Sequence, residues 1–85
     1  MFNTLPEKLS THGADYVLST GECTDDPDYE GWWFGRYDNT KTGLPAEACG
    51  SGNQFYLVSM CPSKEDMEED LLRKLNEFDY ILEQK

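Results

Sequence analysis

The sequence predicts an α+β fold in which a three-stranded antiparallel sheet is followed by one long C-terminal helix packed on one face of the sheet. Two observations predict it. Stretches rich in aromatic and β-branched residues occupy the middle of the chain, and its last quarter repeats apolar residues at the period of an α-helix. The 85 residues are expected to form a single domain, 1–85. We divide it into an N-terminal arm over 1–14, the sheet over 15–60 and the helix over 63–83.

The central strand is predicted over the segment 31–37, GWWFGRY. Its large side chains fit a pleated, half-buried surface. Because side chains alternate along a strand, Trp32, Phe34 and Arg36 face one way, and Trp33 and Tyr37 face the other. A single helix covers only one of these faces. We therefore expect the second face to be covered either by the N-terminal arm or by a partner or second copy of the chain. The pattern does not decide which tryptophan is exposed.

The flanking elements are predicted from shorter signals. Alternating apolar residues predict a first strand over 15–20 (DYVLST) and a third strand over 54–60 (QFYLVSM). The polar segment 1–14 predicts an irregular arm or a short helical turn. Proline, glycine and serine in the segment 44–53 predict a loop between the second and third strands.

The C-terminal helix has both a start signal and a periodic apolar stripe. Ser63 is the predicted N-cap, and Asp66 lies three residues after it, where an acidic side chain completes the cap. Acidic residues over 65–70 are favourable near the positive end of the helix dipole. The stripe consists of Met67, Leu71, Leu75, Phe78 and Leu82.

Charge gives the main functional signal. The chain carries 17 acidic and 7 basic residues, a net charge of −10, which argues against direct binding to nucleic acid or to an anionic membrane. The acidic residues cluster over 22–30 and 65–70, so the expected partner is a basic protein or nucleoprotein complex. The alternative is that these charges only keep the protein soluble. The residues predicted to bind the partner are Glu22, Asp25, Asp26, Asp28, Glu30, Trp32, Glu65, Asp66, Glu68, Glu69 and Asp70.

Catalytic and metal-binding patterns are weak, and we expect no enzyme activity, metal or cofactor. The single histidine, His12, lies in a polar arm, and the acidic loop around Cys23 disfavours a thiolate. Zinc ligation by His12, Cys23, Cys49 and Cys61 lacks a closely spaced cysteine pair. No apolar run is long enough to span a membrane and the start does not resemble a signal peptide, so we expect a cytoplasmic protein with reduced thiols.

A local resemblance concerns the segments GWWFGR over 31–36 and GLP over 43–45, which resemble the G-W-W-x-G-R … G-x-x-P segment of SH3 domains. The resemblance implies that Trp32 and Pro45 line a groove for proline-rich peptides, with the acidic 22–30 loop contacting basic peptide residues. Departures from that family are the missing A-L-Y-D-Y strand, the missing apolar residue before the proline in GLP, Ala48 in place of the groove tyrosine, and the long C-terminal helix.

The chain as a whole resembles small, acidic, single-domain inhibitors carried by phages and mobile elements, including anti-CRISPR proteins. The likeness rests on length, charge, the WWFGRYDN strand and turn, the FYL strand and the acidic helix opened by CPSKE. It implies inhibition by binding and assigns no site residue. We therefore expect a non-enzymatic acidic protein that inhibits a basic nucleic-acid-binding complex. The alternatives are an SH3-like peptide-binding adaptor and a small structural or interaction domain of a larger assembly.

Overall fold

The structure is a computed structural model that describes residues 2–11, 13–50 and 53–83. It confirms an α+β architecture with an antiparallel sheet and a C-terminal helix. The elements in chain order are β1 Lys8–Thr11, β2 Ala14–Glu22, β3 Trp33–Asn39, β4 Glu47–Gly50, β5 Asn53–Tyr56, β6 Val58–Cys61 and α1 Lys64–Glu83. The main sheet has four strands in the order β1-β2-β3-β6, where three strands were predicted, and β4 and β5 pair as a separate hairpin.

The additional strand of the main sheet is β1, in a segment that was predicted to be irregular or helical. It pairs antiparallel with β2, so that Leu9 lies opposite Tyr16. Leu9 is buried while Lys8 and Ser10 are exposed, which is the alternation of a strand with one covered face. Gly13 turns the chain with a φ of 81°, a conformation that glycine adopts without steric cost. The prediction failed because one inward-facing leucine is too weak a periodic signal.

The loop predicted over 44–53 contains β4, and the strand predicted over 54–60 is divided into β5 and β6. The division occurs at Leu57, where the chain changes its pairing partner. Three backbone hydrogen bonds form a closed ring: Tyr37 N–H donates to Leu57 O at 3.1 Å, Leu57 N–H to Ala46 O at 2.9 Å, and Ala46 N–H to Tyr37 O at 2.8 Å. All three residues are buried. Such a change of partner depends on contacts distant in sequence, so local composition does not show it.

The helix packs on the sheet as predicted. Ser63 caps it by accepting a hydrogen bond from Asp66 N–H at 3.1 Å. The stripe members Met67, Leu71, Leu75 and Phe78 are buried, and the side chain of Leu82 lies outside the described residues. The helix approaches β3 closely at Gly35, where an added Cβ would lie 2.5 Å from Met67 Sδ. Among the described residues no helix is both long and apolar enough to cross a membrane.

The N-terminal arm lies on the same side of the sheet as the helix. Phe2 and Leu5 pack against the core, and Asn76 exchanges two hydrogen bonds with the Phe2 backbone, at 2.7 and 3.1 Å. The Tyr37 hydroxyl donates to Pro6 O at 2.6 Å. Of the two alternatives for the second face of the sheet, coverage by the N-terminal arm is therefore wrong.

That second face, which we call the open sheet face, is opposite the helix. The strand register places the following side chains on it: Lys8, Asp15, Val17, Ser19, Phe34, Arg36, Asp38, Val58 and Met60. Trp33 points to the helix side, where Lys64 Nζ lies 5.5 Å from the centre of its ring.

Candidate binding surface

The two acidic clusters lie at the same end of the molecule. Glu22, the last residue of β2, pairs with Trp33, the first residue of β3, and Trp33 pairs with Cys61, the last residue of β6. The loop 23–32 leaves the sheet from this row, and α1 begins three residues after Cys61. We call this region, made of residues 22–30 and 65–70, the acidic end.

The acidic loop is closed by its own backbone. Cys23 N–H donates to Trp32 O at 2.7 Å, and Gly31 N–H donates to Cys23 O at 3.1 Å. Gly31 has a φ of 85°, a left-handed conformation that glycine adopts without the steric cost that a side chain would bring. Within the loop, the Asp26 carboxylate accepts a hydrogen bond from Asp28 N–H at 3.0 Å. The loop therefore displays its carboxylates from a hydrogen-bonded frame.

An aromatic pair stands at the base of this loop. The rings of Tyr29 and Trp32 meet edge to face, with centroids 5.1 Å apart and an interplanar angle of 82°. Trp32 is half-buried and Tyr29 is 42% exposed. Tyr29 was not among the predicted site residues, although its position three residues before Trp32, inside an acidic loop, was visible in the sequence. Both rings are large amphipathic groups of the kind that anchor protein interfaces.

The helical acids divide into two groups. Glu65, Asp66, Glu68 and Glu69 are exposed on the first turns of α1, where the helix dipole favours negative charge. Asp70 differs from them because its side chain is only 22% exposed and is held by the protein itself.

Three side chains hold Asp70. It accepts a hydrogen bond from the Ser59 hydroxyl at 2.7 Å and pairs with Arg73 and Lys74. Burial alone would raise the pKa of Asp70, but the hydrogen bonds from Ser59, Lys74 and Arg73 together outweigh it and lower the pKa to about 2. Asp70 thus fastens α1 to β6, whereas the four exposed acids are free to face a partner.

A groove runs beside the exposed helical acids, between α1, β2 and the N-terminal arm. Its volume is about 560 Å³, with Leu18 and Leu72 among its apolar lining residues. Its helix side carries Lys64 and three carboxylates, on Glu65, Glu68 and Glu69. An apolar floor beside carboxylates suits the long stem and charged head of lysine or arginine.

The structure describes only some of the residues named as zinc candidates. Within the described ranges no three histidine, cysteine or acidic side chains come close enough together to hold a metal ion. Cys23 and Cys61 are free thiols. His12 and the side chain of Cys49, both named as zinc candidates, lie outside the described residues.

The two residues that would line an SH3-like groove are not brought together. Trp32 lies immediately before β3, and Pro45 forms a bridge with Asp38 near the other end of that strand. Asp38, the bridge partner of Pro45, lies six residues after Trp32. At about 3.3 Å per residue in a strand, Trp32 and Pro45 are therefore about 20 Å apart along β3. Tyr56, Leu44 and Pro45 instead border a separate hollow with Tyr16.

The comparisons with known proteins identify no relative from which a site could be transferred. No protein-family model, no curated protein and no solved structure matches the chain.

Proposed function

We propose that the protein is a non-enzymatic acidic binding protein that inhibits a basic nucleic-acid-binding complex in the bacterial cytoplasm, in the manner of anti-CRISPR or other phage counter-defence proteins. The observation that carries this proposal is the convergence of the two acidic clusters at one end of the fold. Ten of the 17 acidic residues belong to residues 22–30 and 65–70, and neither range contains a lysine or arginine.

Concentrated carboxylates on a folded scaffold resemble a nucleic-acid backbone in their charge. The helical acids lie on successive turns, with side chains three and four residues apart separated by about 5–6 Å at Cβ. The loop acids add a second row from a hydrogen-bonded frame. A channel lined by lysine and arginine attracts such a surface over long range, and the attraction falls as salt is added.

The aromatic pair supplies binding affinity that exposed charges alone do not provide. Exposed ion pairs contribute little affinity, because water and salt screen them. Tyr29 and Trp32 offer apolar area beside the acidic residues of the loop, and buried aromatic anchors surrounded by polar contacts are the usual centres of binding energy in interfaces. In this proposal the carboxylates govern the rate and orientation of docking, and the aromatic pair slows dissociation.

The proposal is tested on purified RNA-guided nuclease complexes, each assayed for binding to its target DNA and for DNA cleavage in the presence of the protein. We expect at least one complex to lose DNA binding, and excess duplex DNA to compete with the protein. The variant Asp25→Asn/Asp26→Asn/Asp28→Asn should bind that complex at least about tenfold more weakly at low salt, and its affinity should depend less on salt concentration.

A matched control separates a defined surface from overall charge. Glu7→Gln/Asp15→Asn/Glu77→Gln removes the same number of charges outside the acidic end, at three exposed residues. Asp15 and Asp26 each accept one exposed hydrogen bond, from Ser10 and from Asp28 N–H respectively, so the two triple variants are also matched in that respect. Equal weakening by both variants would show that only net charge matters. Failure to inhibit any complex in the panel would reject the proposed function.

A further inference from the structure

The open sheet face is apolar at its centre, and within the described part of the chain no element covers it. Phe34 and Met60 are cross-strand neighbours, and Val58 lies opposite Arg36. Val58 keeps 37% and Met60 42% of its surface exposed, and these residues border a shallow hollow of about 530 Å³ together with Ser19. Large apolar side chains exposed side by side on a rigid sheet mark an interaction surface.

The charge of this face indicates what covers it. Two cations, Lys8 and Arg36, and two anions, Asp15 and Asp38, lie on it, so its charges balance although the chain carries −10. A basic partner is attracted less strongly by a face whose charges balance than by the acidic end. Two copies of this acidic chain, in contrast, meet with the least repulsion through the surface where the charge of each is balanced.

We propose that a second copy of the chain covers the open sheet face and forms a two-fold symmetric dimer centred on Phe34, Val58 and Met60. In a two-fold interface every contact occurs twice. The face presents both a guanidinium, on Arg36 with 46% of its side chain exposed, and the ring of Phe34. Arg36 Nε donates a hydrogen bond to the Asp38 carboxylate of its own chain at 3.0 Å. In the proposed dimer this ion-paired guanidinium lies on the Phe34 ring of the other copy, which keeps the bond to Asp38 and adds a cation–aromatic contact.

The dimer does not depend on the proposed function, and its salt dependence has the opposite sign. Phe34 and Met60 lie one residue from the row of Trp33 and Cys61 at which the acidic end begins, so the contact surface of the dimer borders the acidic end. Because each copy carries −10, added salt screens repulsion between the copies and strengthens the dimer. Binding of the acidic end to a basic target weakens under the same change.

Sedimentation equilibrium of the full chain, at total concentrations from about 5 to about 500 μM, tests the proposal. For a small interface we expect a dissociation constant on the order of 10–100 μM, and a tighter dimer at high than at low NaCl. Met60→Lys should weaken the dimer about 100-fold, since the substitution occurs twice in the interface and costs about tenfold at each copy.

Leu44→Lys is the matched control because it makes the same charge change at another exposed apolar residue, 64% exposed and in a turn away from this face. It should leave the dimer unchanged. Val58→Lys repeats the test at a second position, and circular dichroism verifies that each variant is folded. A chain that is monomeric throughout the concentration range would overturn the proposal. So would a dimer that Leu44→Lys weakens as much as Met60→Lys and Val58→Lys do.

Discussion

The tightest approach of the helix to the sheet is at Gly35, and replacing this residue tests the packing directly. An alanine Cβ there would lie 2.5 Å from Met67 Sδ and 3.0 Å from Leu71 Cδ2, whereas carbon atoms in contact are normally about 3.5–4.0 Å apart. Both helical residues are fully buried, so the helix or the Met67 side chain has to move by about 1 Å to restore that separation.

The expected cost follows from two opposing effects. Overpacking of a core costs about 1–3 kcal/mol. Replacing a strand glycine by alanine returns about 0.4–1 kcal/mol, because the unfolded chain loses conformational freedom. The two ranges together allow a loss of up to about 2.6 kcal/mol, and their midpoints give a decrease of about 1.3 kcal/mol in the free energy of unfolding. For a domain of this size that decrease lowers the melting temperature by about 5–10 °C.

The assay is urea unfolding at a few μM protein, with Gly21→Ala as the control. A Cβ at Gly21 would lie 2.9 Å from Cε1 and Cζ of Phe34, but that ring lies on the open sheet face and can move toward solvent. Gly21→Ala should therefore change the free energy of unfolding by less than about 0.5 kcal/mol.

The double variant Gly35→Ala/Met67→Ala completes the test. Met67→Ala alone leaves a cavity and should cost about 2–5 kcal/mol. The Gly35→Ala methyl group then has room, so the second substitution should be neutral or stabilising in that background, a coupling of at least about 1 kcal/mol. If Gly35→Ala is as mild as Gly21→Ala, or if its effect is the same in both backgrounds, the described contact between helix and strand is wrong.

Three further predictions concern the attachments of the helix and the arm. Folding lowers the pKa of Asp70 from 3.8 to about 2. This group therefore stabilises the fold by up to about 2 kcal/mol above about pH 4 and loses that contribution as the pH falls toward 2. Asp70→Asn should make the free energy of unfolding in urea less dependent on pH in this range. Tyr37→Phe removes the hydrogen bond to Pro6 O and should lower the free energy of unfolding by about 1 kcal/mol, and an ultraviolet titration of the parent protein should show one tyrosine ionising near its raised pKa of about 12. Asn76→Ala removes both hydrogen bonds to Phe2 and should speed proteolysis of the arm while costing about 1–2 kcal/mol; unchanged cleavage would contradict the described attachment.

The helix and the central strand could be predicted from local sequence. Four apolar side chains at helical spacing are enough to place a helix against a sheet, and Ser63 and Asp66 indicate where it begins. The cluster of aromatics around Trp33 likewise predicts a strand. In each case the prediction needs only residues close in sequence, because the spacing of their apolar side chains follows from the geometry of one helix or one strand.

The remaining elements depend on contacts between distant residues. β1 has one buried side chain, Leu9, and its strand conformation depends on pairing with β2. β4 is recognisable only from the contact between distant segments, in which Leu57 N–H donates a hydrogen bond to Ala46 O. For the candidate site, the two acidic clusters were visible in the sequence, but their convergence follows from the pairing of Glu22, Trp33 and Cys61. Of the three side chains that hold Asp70, Arg73 and Lys74 follow it by three and four residues, but Ser59 is eleven residues away.

The ring of hydrogen bonds joining Tyr37, Ala46 and Leu57 has a consequence for the way the molecule opens. Each of these buried amides needs a carbonyl from another of the three segments, so removing one segment leaves unsatisfied polar groups in the other two. This half of the domain is therefore expected to open as one cooperative unit, near the free energy of global unfolding. The acidic end lies at the opposite end of β3, so we expect a local rearrangement there to leave the ring intact.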